Sequence, residues 1–200
     1  MVRGTFSPAR AWRPAVVARL ARTLGITTNM HHLPTLECQA WLAELKFELS
    51  SASPSALEAI ALSLKQLGER LNWAKMISLE AGPGEESLYL LAQLGIDGPA
   101  LYLVSDGAGV RSPPHEHRTW AAIAGLRGIE RNTFYEVTAL EDRRARAVKV
   151  IDIRAGEYVA LAETVVHATE VTGPESTLHL HLYGKPLHCL PPFQCRVFSE

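Results

Sequence analysis

At 200 residues, 47% of them hydrophobic and 20% charged, the chain is long enough to bury one sizeable core and short for two. A formal net charge of -1 gives no electrostatic reason to expect nucleic acid, and no apolar run approaches the roughly 18 residues that a membrane span requires. Cys38, Cys189 and Cys195 are odd in number and lack a metal-knuckle or CxxC spacing, so they read as reduced thiols of a cytoplasmic protein.

Between Met1 and Leu36 there are five arginines (Arg3, Arg10, Arg13, Arg19, Arg22) and no acidic residue. The scarcity of serine favours a basic amphipathic helix on the domain surface; a transit peptide is the alternative. Pro14 can open a helix to about Leu24, with Gly25 placed for a left-handed cap. Thr35 offers a side-chain cap for a helix over 36–49, whose apolar stripe is Leu36, Ala40, Trp41, Leu45 and Leu49. A third helix is framed by Ser53 as cap, Pro54 at its first position and Gly68 past its end. A helical stretch over 71–79 closes at Gly82-Pro83-Gly84, and 85–94 reads as one more short helix before Gly95.

Beyond that point the period changes from about 3.6 to 2. The segments 100–104, 119–126, 129–137, 147–153, 158–162, 165–171 and 177–183 are short, rich in β-branched and aromatic residues, and separated by turn residues such as Asp106-Gly107, Gly128, Ala155-Gly156 and Gly173-Pro174. Seven such strands predict a sandwich or a small barrel with the helices outside it. The expected organisation is mainly β with N-terminal helices: a helical portion over 1–95 packed on a barrel over 96–200, one structural domain in all.

The stretch Ser112-Pro113-Pro114-His115-Glu116-His117-Arg118-Thr119-Trp120 carries the chemistry. Two imidazoles separated by one residue project from the same side of a strand, with Glu116 pointing the other way. Gly109 lies before this pair and Gly128 after it, and Gly156 precedes His167. That order resembles the two sequence signatures of the cupin superfamily. The resemblance implies a double-stranded β-helix, or jelly-roll, barrel with His115, His117 and His167 on one metal ion. Ala121 and Ala122 stand where many cupins supply a glutamate ligand, so the ligand set is three neutral imidazoles. Such a set leaves the metal's charge uncompensated and favours an anionic substrate atom.

Ser112 to Gly128, then His167, then Leu180-His181-Leu182-Tyr183-Gly184 are together similar to the cysteine dioxygenase group of thiol dioxygenases, over roughly residues 100–186. The resemblance implies mononuclear Fe(II), O2 and a small thiol as reactants, and the sulfinate as product; Zn, Ni or Mn are possible at the same ligands. It also implies catalytic roles for Tyr183 and for His181 hydrogen-bonded behind it. In the strict alternation of 177–183, His179, His181 and Tyr183 share one face; a polar ladder on an exposed strand is the alternative for His181 and Tyr183 and the favoured reading for His179. Two features depart from the group: no cysteine lies beside the tyrosine to crosslink it, and Tyr89-Leu90-Leu91 stands where a carboxylate-binding Tyr-x-Arg is expected. Arg111, Arg118 and Arg127 are candidate substitutes, each more simply a surface charge. Neither His31-His32 nor His188-Cys189 with Cys195 fits a common metal spacing. A three-histidine dioxygenase that cleaves a carbon-carbon bond in a β-dicarbonyl-type compound, and a non-catalytic small-molecule-binding barrel, are the alternative functions.

Overall fold

The computed structural model describes residues 34–45, 53–71, 73 and 79–200. The helix expected at 14–24, the His31-His32 pair and most of 71–79 lie outside the described residues.

Helix α1 spans Thr35–Glu44. It begins on Pro34 and has no side-chain cap, so Thr35 is its first residue rather than its cap. Its buried face is Cys38, Trp41, Leu42 and Leu45, while Leu36 is 83% exposed; the apolar stripe is therefore rotated from the one expected. Helix α2 spans Pro54–Arg70 and starts as anticipated, with Ser53 Oγ accepting from the Ala56 amide and Pro54 at the first position. Gly68 lies inside α2 and not past its end. It is a packing glycine: a Cβ there would sit 2.7 Å from Leu126 Cδ2, and the Trp73 indole N–H donates to its carbonyl at 2.7 Å.

Nine strands follow: β1 Glu86–Gln93, β2 Ala100–Asp106, β3 His115–Glu116, β4 Ala121–Arg127, β5 Glu130–Ala139, β6 Arg144–Ile153, β7 Tyr158–Leu161, β8 Val166–Val171 and β9 Thr177–Tyr183. β1 replaces the short helix expected at 85–94. Its residues pair antiparallel with β2 from Glu86↔Asp106 onward, so strand pairing begins ten residues ahead of the barrel boundary drawn at 96. The strands form two sheets, ordered β1-β2-β9-β4-β7 and β3-β8-β5-β6. With β1 as an extra edge, the remaining eight strands interleave between two antiparallel sheets in jelly-roll order, the double-stranded β-helix. Helix α1 guards the outer edge: Gln39 and the backbone of Gln93 exchange hydrogen bonds in both directions, which satisfies an otherwise open strand.

The first sheet is buried on both faces because its strands alternate between two apolar surroundings. Leu101, Leu103, Ala122, Ala124, Leu178, Leu180 and Leu182 meet Cys38, Trp41, Leu42, Ile60, Leu64 and Leu67 of the helices. Ala100, Tyr102, Val104, Ala121, Ile123 and Tyr183 point the other way and pack with Ile153 and Leu161 inside the barrel. For β9 this puts every second residue, Thr177, His179, His181 and Tyr183, on the inward side, and all seven of its residues are buried. The exposed polar ladder is thereby excluded.

Candidate metal centre

The antiparallel register of β3 and β8 sets His115 directly opposite His167, and directly paired residues present their side chains on one face. His117 follows two positions on, just before Arg118 turns the chain at φ 58°, a left-handed conformation uncommon for a residue with a side chain. The ring centroids are 4.9 Å apart for His115 and His117, 4.8 Å for His115 and His167, and 5.0 Å for His117 and His167. All three rings are buried. Glu116 points outward and accepts from Arg118 Nε at 2.6 Å.

Hydrogen bonds behind the rings decide which nitrogen is free. His115 Nδ1 lies 2.9 Å from the Pro113 carbonyl, an acceptor only, so Nδ1 carries the proton and Nε2 the lone pair. His167 Nδ1 lies 2.9 Å from Asn132 Oδ1, while Asn132 Nδ2 donates to Glu130 Oε1 at 2.8 Å. The carboxylate thus orients the amide, the amide oxygen accepts from the His167 Nδ1–H, and Nε2 again faces inward. His117 Nε2 is 2.9 Å from His167 Nε2, close to the separation of two imidazoles held about 2.1 Å from one ion at right angles. Burial pushes His115 down to about 4, with the Pro113 hydrogen bond working against it. His117 and His167 are well below the ordinary histidine range, through burial first and then the neighbouring rings. Three neutral nitrogens at one point, with ligand atoms within 4.8 Å of one another, could hold a metal ion.

Tyr183 borders this cluster, its ring centroid 5.0 Å from that of His117. Its hydroxyl lies 3.0 Å from His181 Nδ1. Burial, and then the charges of Glu86 and Glu130, keep the phenol protonated far above its usual range; burial likewise holds His181 down to about 4. Across from Tyr183 in the sheet is Ala121, which offers neither a carboxylate to a metal nor a sulfur to the tyrosine. Leu91 is buried among the helices and not in the barrel interior.

None of the three surface arginines enters. Arg111 pairs with Glu170, Arg118 with Glu116 and Arg127 with Glu80. The cation that acts on the site is Arg196, only 5% exposed. It donates from Nε to the Pro191 carbonyl at 3.1 Å and from Nη1 to the Glu116 carbonyl at 3.3 Å. Its guanidinium lies 5.3 Å over the Phe193 ring, whose centroid is 5.2 Å from that of His115 with the two rings tilted by 55°. Arg196 lowers the proton affinities of His115, His117 and Tyr183 alike. Sequence reading missed it because a lone arginine after two 3-10 turns has no periodicity. Glu130 and Asn132 were missed too, although they occupy alternate positions of a predicted strand and so share one face. Cys189 and Cys195 are exposed and free.

No known family model matches this sequence, and no curated protein is similar to it in sequence. In structure the chain is similar to a cupin superfamily protein from Desulfitobacterium hafniense, at 19% identity over 56% of this chain and 87% of that one, with a TM-score of 0.43. A cupin 2 conserved barrel domain protein from Leptotrichia buccalis is similar at 20% identity over 57% of this chain and 47% of that one, TM-score 0.44. An oxalate oxidase bound to the substrate analogue glycolate is similar at 15% identity over 55% and 57%, TM-score 0.42. Each of these likenesses covers 55–57% of this chain. The chain's own strand order is that of a double-stranded β-helix, and it closes around a buried cluster of histidines able to hold a metal.

Proposed function

We propose that the chain is a mononuclear non-haem iron thiol dioxygenase, joining both atoms of O2 to the sulfur of a small soluble thiol in the cytoplasm. The observation that carries this reading is the pairing of three buried, neutral imidazoles, free of any carboxylate, with a buried tyrosine phenol that stays protonated. Fe(II) held by His115, His117 and His167 would supply the redox chemistry, and its uncompensated charge would favour a thiolate over a neutral thiol.

The remaining work falls to the chain. Tyr183 holds its proton on Oη beside the metal ligands, where it can donate to an oxygen of the forming product. His181, neutral and 3.0 Å behind it, fixes the direction of the hydroxyl. Arg196 supplies a buried positive charge next to His115 and Tyr183, suited to a substrate carboxylate. The reaction balances without a further reductant: a thiol and O2 give the sulfinic acid, whose proton is lost to solvent.

The test is oxygen uptake by anaerobically Fe(II)-loaded protein of verified metal content, offered 3-mercaptopropionate, cysteine, cysteamine, an alkyl thiol and a β-diketone. Uptake with a thiol, one O2 consumed per sulfinate formed, is expected. No uptake with any thiol from a fully loaded site would overturn the reading, and uptake with the diketone alone would transfer the protein to carbon-carbon cleavage.

A further inference from the structure

The barrel interior contains a second cluster, whose unpartnered atoms the three-histidine centre leaves free although Glu130 and His181 support that centre through their other atoms. Beyond Tyr183 and His181 on the inward face of β9 comes His179, and facing it from the other sheet is Glu130 at the start of β5. His179 and Glu130 are 0% and 1% exposed. Glu130 Oε2 and His179 Nδ1 lie 3.3 Å apart, yet neither has a hydrogen-bond partner. Five buried side-chain nitrogen or oxygen atoms are unpartnered among the described residues, and four of them belong to this cluster: Glu130 Oε2, both ring nitrogens of His179, and His181 Nε2. Folded proteins leave few such atoms and rarely gather them, since each costs on the order of 1–3 kcal/mol.

We infer that Glu130, His179 and His181 form a second metal site, for a first-row divalent transition-metal ion. One carboxylate oxygen and two imidazole nitrogens, all within 4.8 Å of one another, are the donor set that suits such ions, whereas Mg2+ and Ca2+ call for oxygen. His179 and His181 repeat on β9 the one-residue spacing of His115 and His117. Glu130 is already oriented, because Asn132 Nδ2 binds Oε1 and leaves Oε2 free. A proton shared between Glu130 and His179 would satisfy only two of the four bare atoms and leave His181 Nε2 with nothing. One ion takes Glu130 Oε2, one nitrogen of His179 and His181 Nε2 together. The fifth unpartnered atom, Asp106 Oδ1, belongs to a carboxyl whose proton affinity is raised by burial, then by Glu130 and Glu86, so it holds its proton and leaves Glu130 as the carboxylate of the cluster.

The two sites are joined through side chains. Asn132 links Glu130 to His167, and His181 links the second cluster to Tyr183. An ion on His181 Nε2 leaves the ring proton on Nδ1, which then donates to Tyr183 Oη. The phenol keeps its own proton for the three-histidine side.

The experiment is stoichiometry on the full chain. Chelator-stripped protein is saturated anaerobically with Co(II), freed of excess metal by gel filtration, and assayed for metal and for the visible Co(II) spectrum. Two ions per chain are expected in the wild type. One is expected in Glu130→Gln and in His179→Ala, and one in the His115→Ala/His117→Ala/His167→Ala variant, where it should also raise the melting temperature. The two classes of variant should keep different parts of the wild-type spectrum. One ion in the wild type overturns the proposal, and so do two ions that persist in Glu130→Gln. Glu130→Gln keeps the side-chain size, and the wild-type stoichiometry needs no variant, so a misfolded His179→Ala leaves the decision intact.

Discussion

Asn132 and Arg196 show how much of this centre rests on residues that touch no metal. Asn132 is wholly buried and holds His167 in the tautomer whose Nε2 faces inward. Substitution by leucine removes the acceptor and releases the ring, so metal affinity should fall by roughly 10–100-fold. Isothermal titration with Co(II) would show it; an unchanged affinity would mean that His167 orients without help. Arg196 is the buried cation that acts on His115 and Tyr183. Arg196→Met should raise the KM for 3-mercaptopropionate by about tenfold or more while leaving cysteamine, which has no carboxylate, little altered. A loss shared equally by both thiols would assign Arg196 to packing over Phe193 instead.

At the scale of elements, β9 is the strand that everything else serves. Its leucines face α2 and its polar residues face the barrel interior, so helix packing fixes which side chains reach the metal ligands. Leu64 of α2 is fully buried in the outer cluster with Leu178, Leu180 and Leu182. Leu64→Ala should cost about 2–4 kcal/mol in chemical denaturation, with metal stoichiometry unchanged in the folded protein. A cost below about 0.5 kcal/mol would show that α2 is not an obligatory cover for the sheet. β1 was misread at this scale for a physical reason: Ser87-Leu88-Tyr89-Leu90-Leu91-Ala92-Gln93 has no β-branched residue and consists largely of good helix formers. Pairing with β2 overrides that preference, and the alternation that marks an isolated strand is missing because helices cover one face.

For the molecule as a whole, the buried histidines impose an acid limit. His115 and His181 stay neutral in the folded, metal-free chain down to about 4, while in the unfolded chain they take up protons near 6.5. The unfolded state therefore binds more protons between those values, and stability present above about 6.5 is lost as pH falls toward 4. Each contributes a slope of about 1.4 kcal/mol per pH unit. Glu130 acts in the same direction lower down: burial would raise its carboxyl, but His179, His181 and the Asn132 hydrogen bond together outweigh that and bring it to about 2, against an unfolded value near 4.5. Melting curves in chelator from pH 7.5 to 4.5 should show a falling midpoint, and the slope should be shallower in His181→Asn. A flat profile would count against neutral buried rings. Among the described residues, no helix is long and apolar enough to cross a membrane.

The sequence by itself determined the strand alternation, the His115 and His117 pair, the helix start at Ser53-Pro54 and the shared face of His179, His181 and Tyr183. These are local: a period of two or a cap needs only near neighbours along the chain. Tertiary structure alone decided that Gly68 is packed inside a helix, that 86–93 is a strand, and that Glu130, Asn132 and Arg196 belong with the histidines. A glutamate or asparagine in a strand reads as solvent-facing until a second sheet closes over it. What brings Glu130 to His179 is the folding of one sheet onto the other, a contact between residues 49 positions apart that no periodicity encodes.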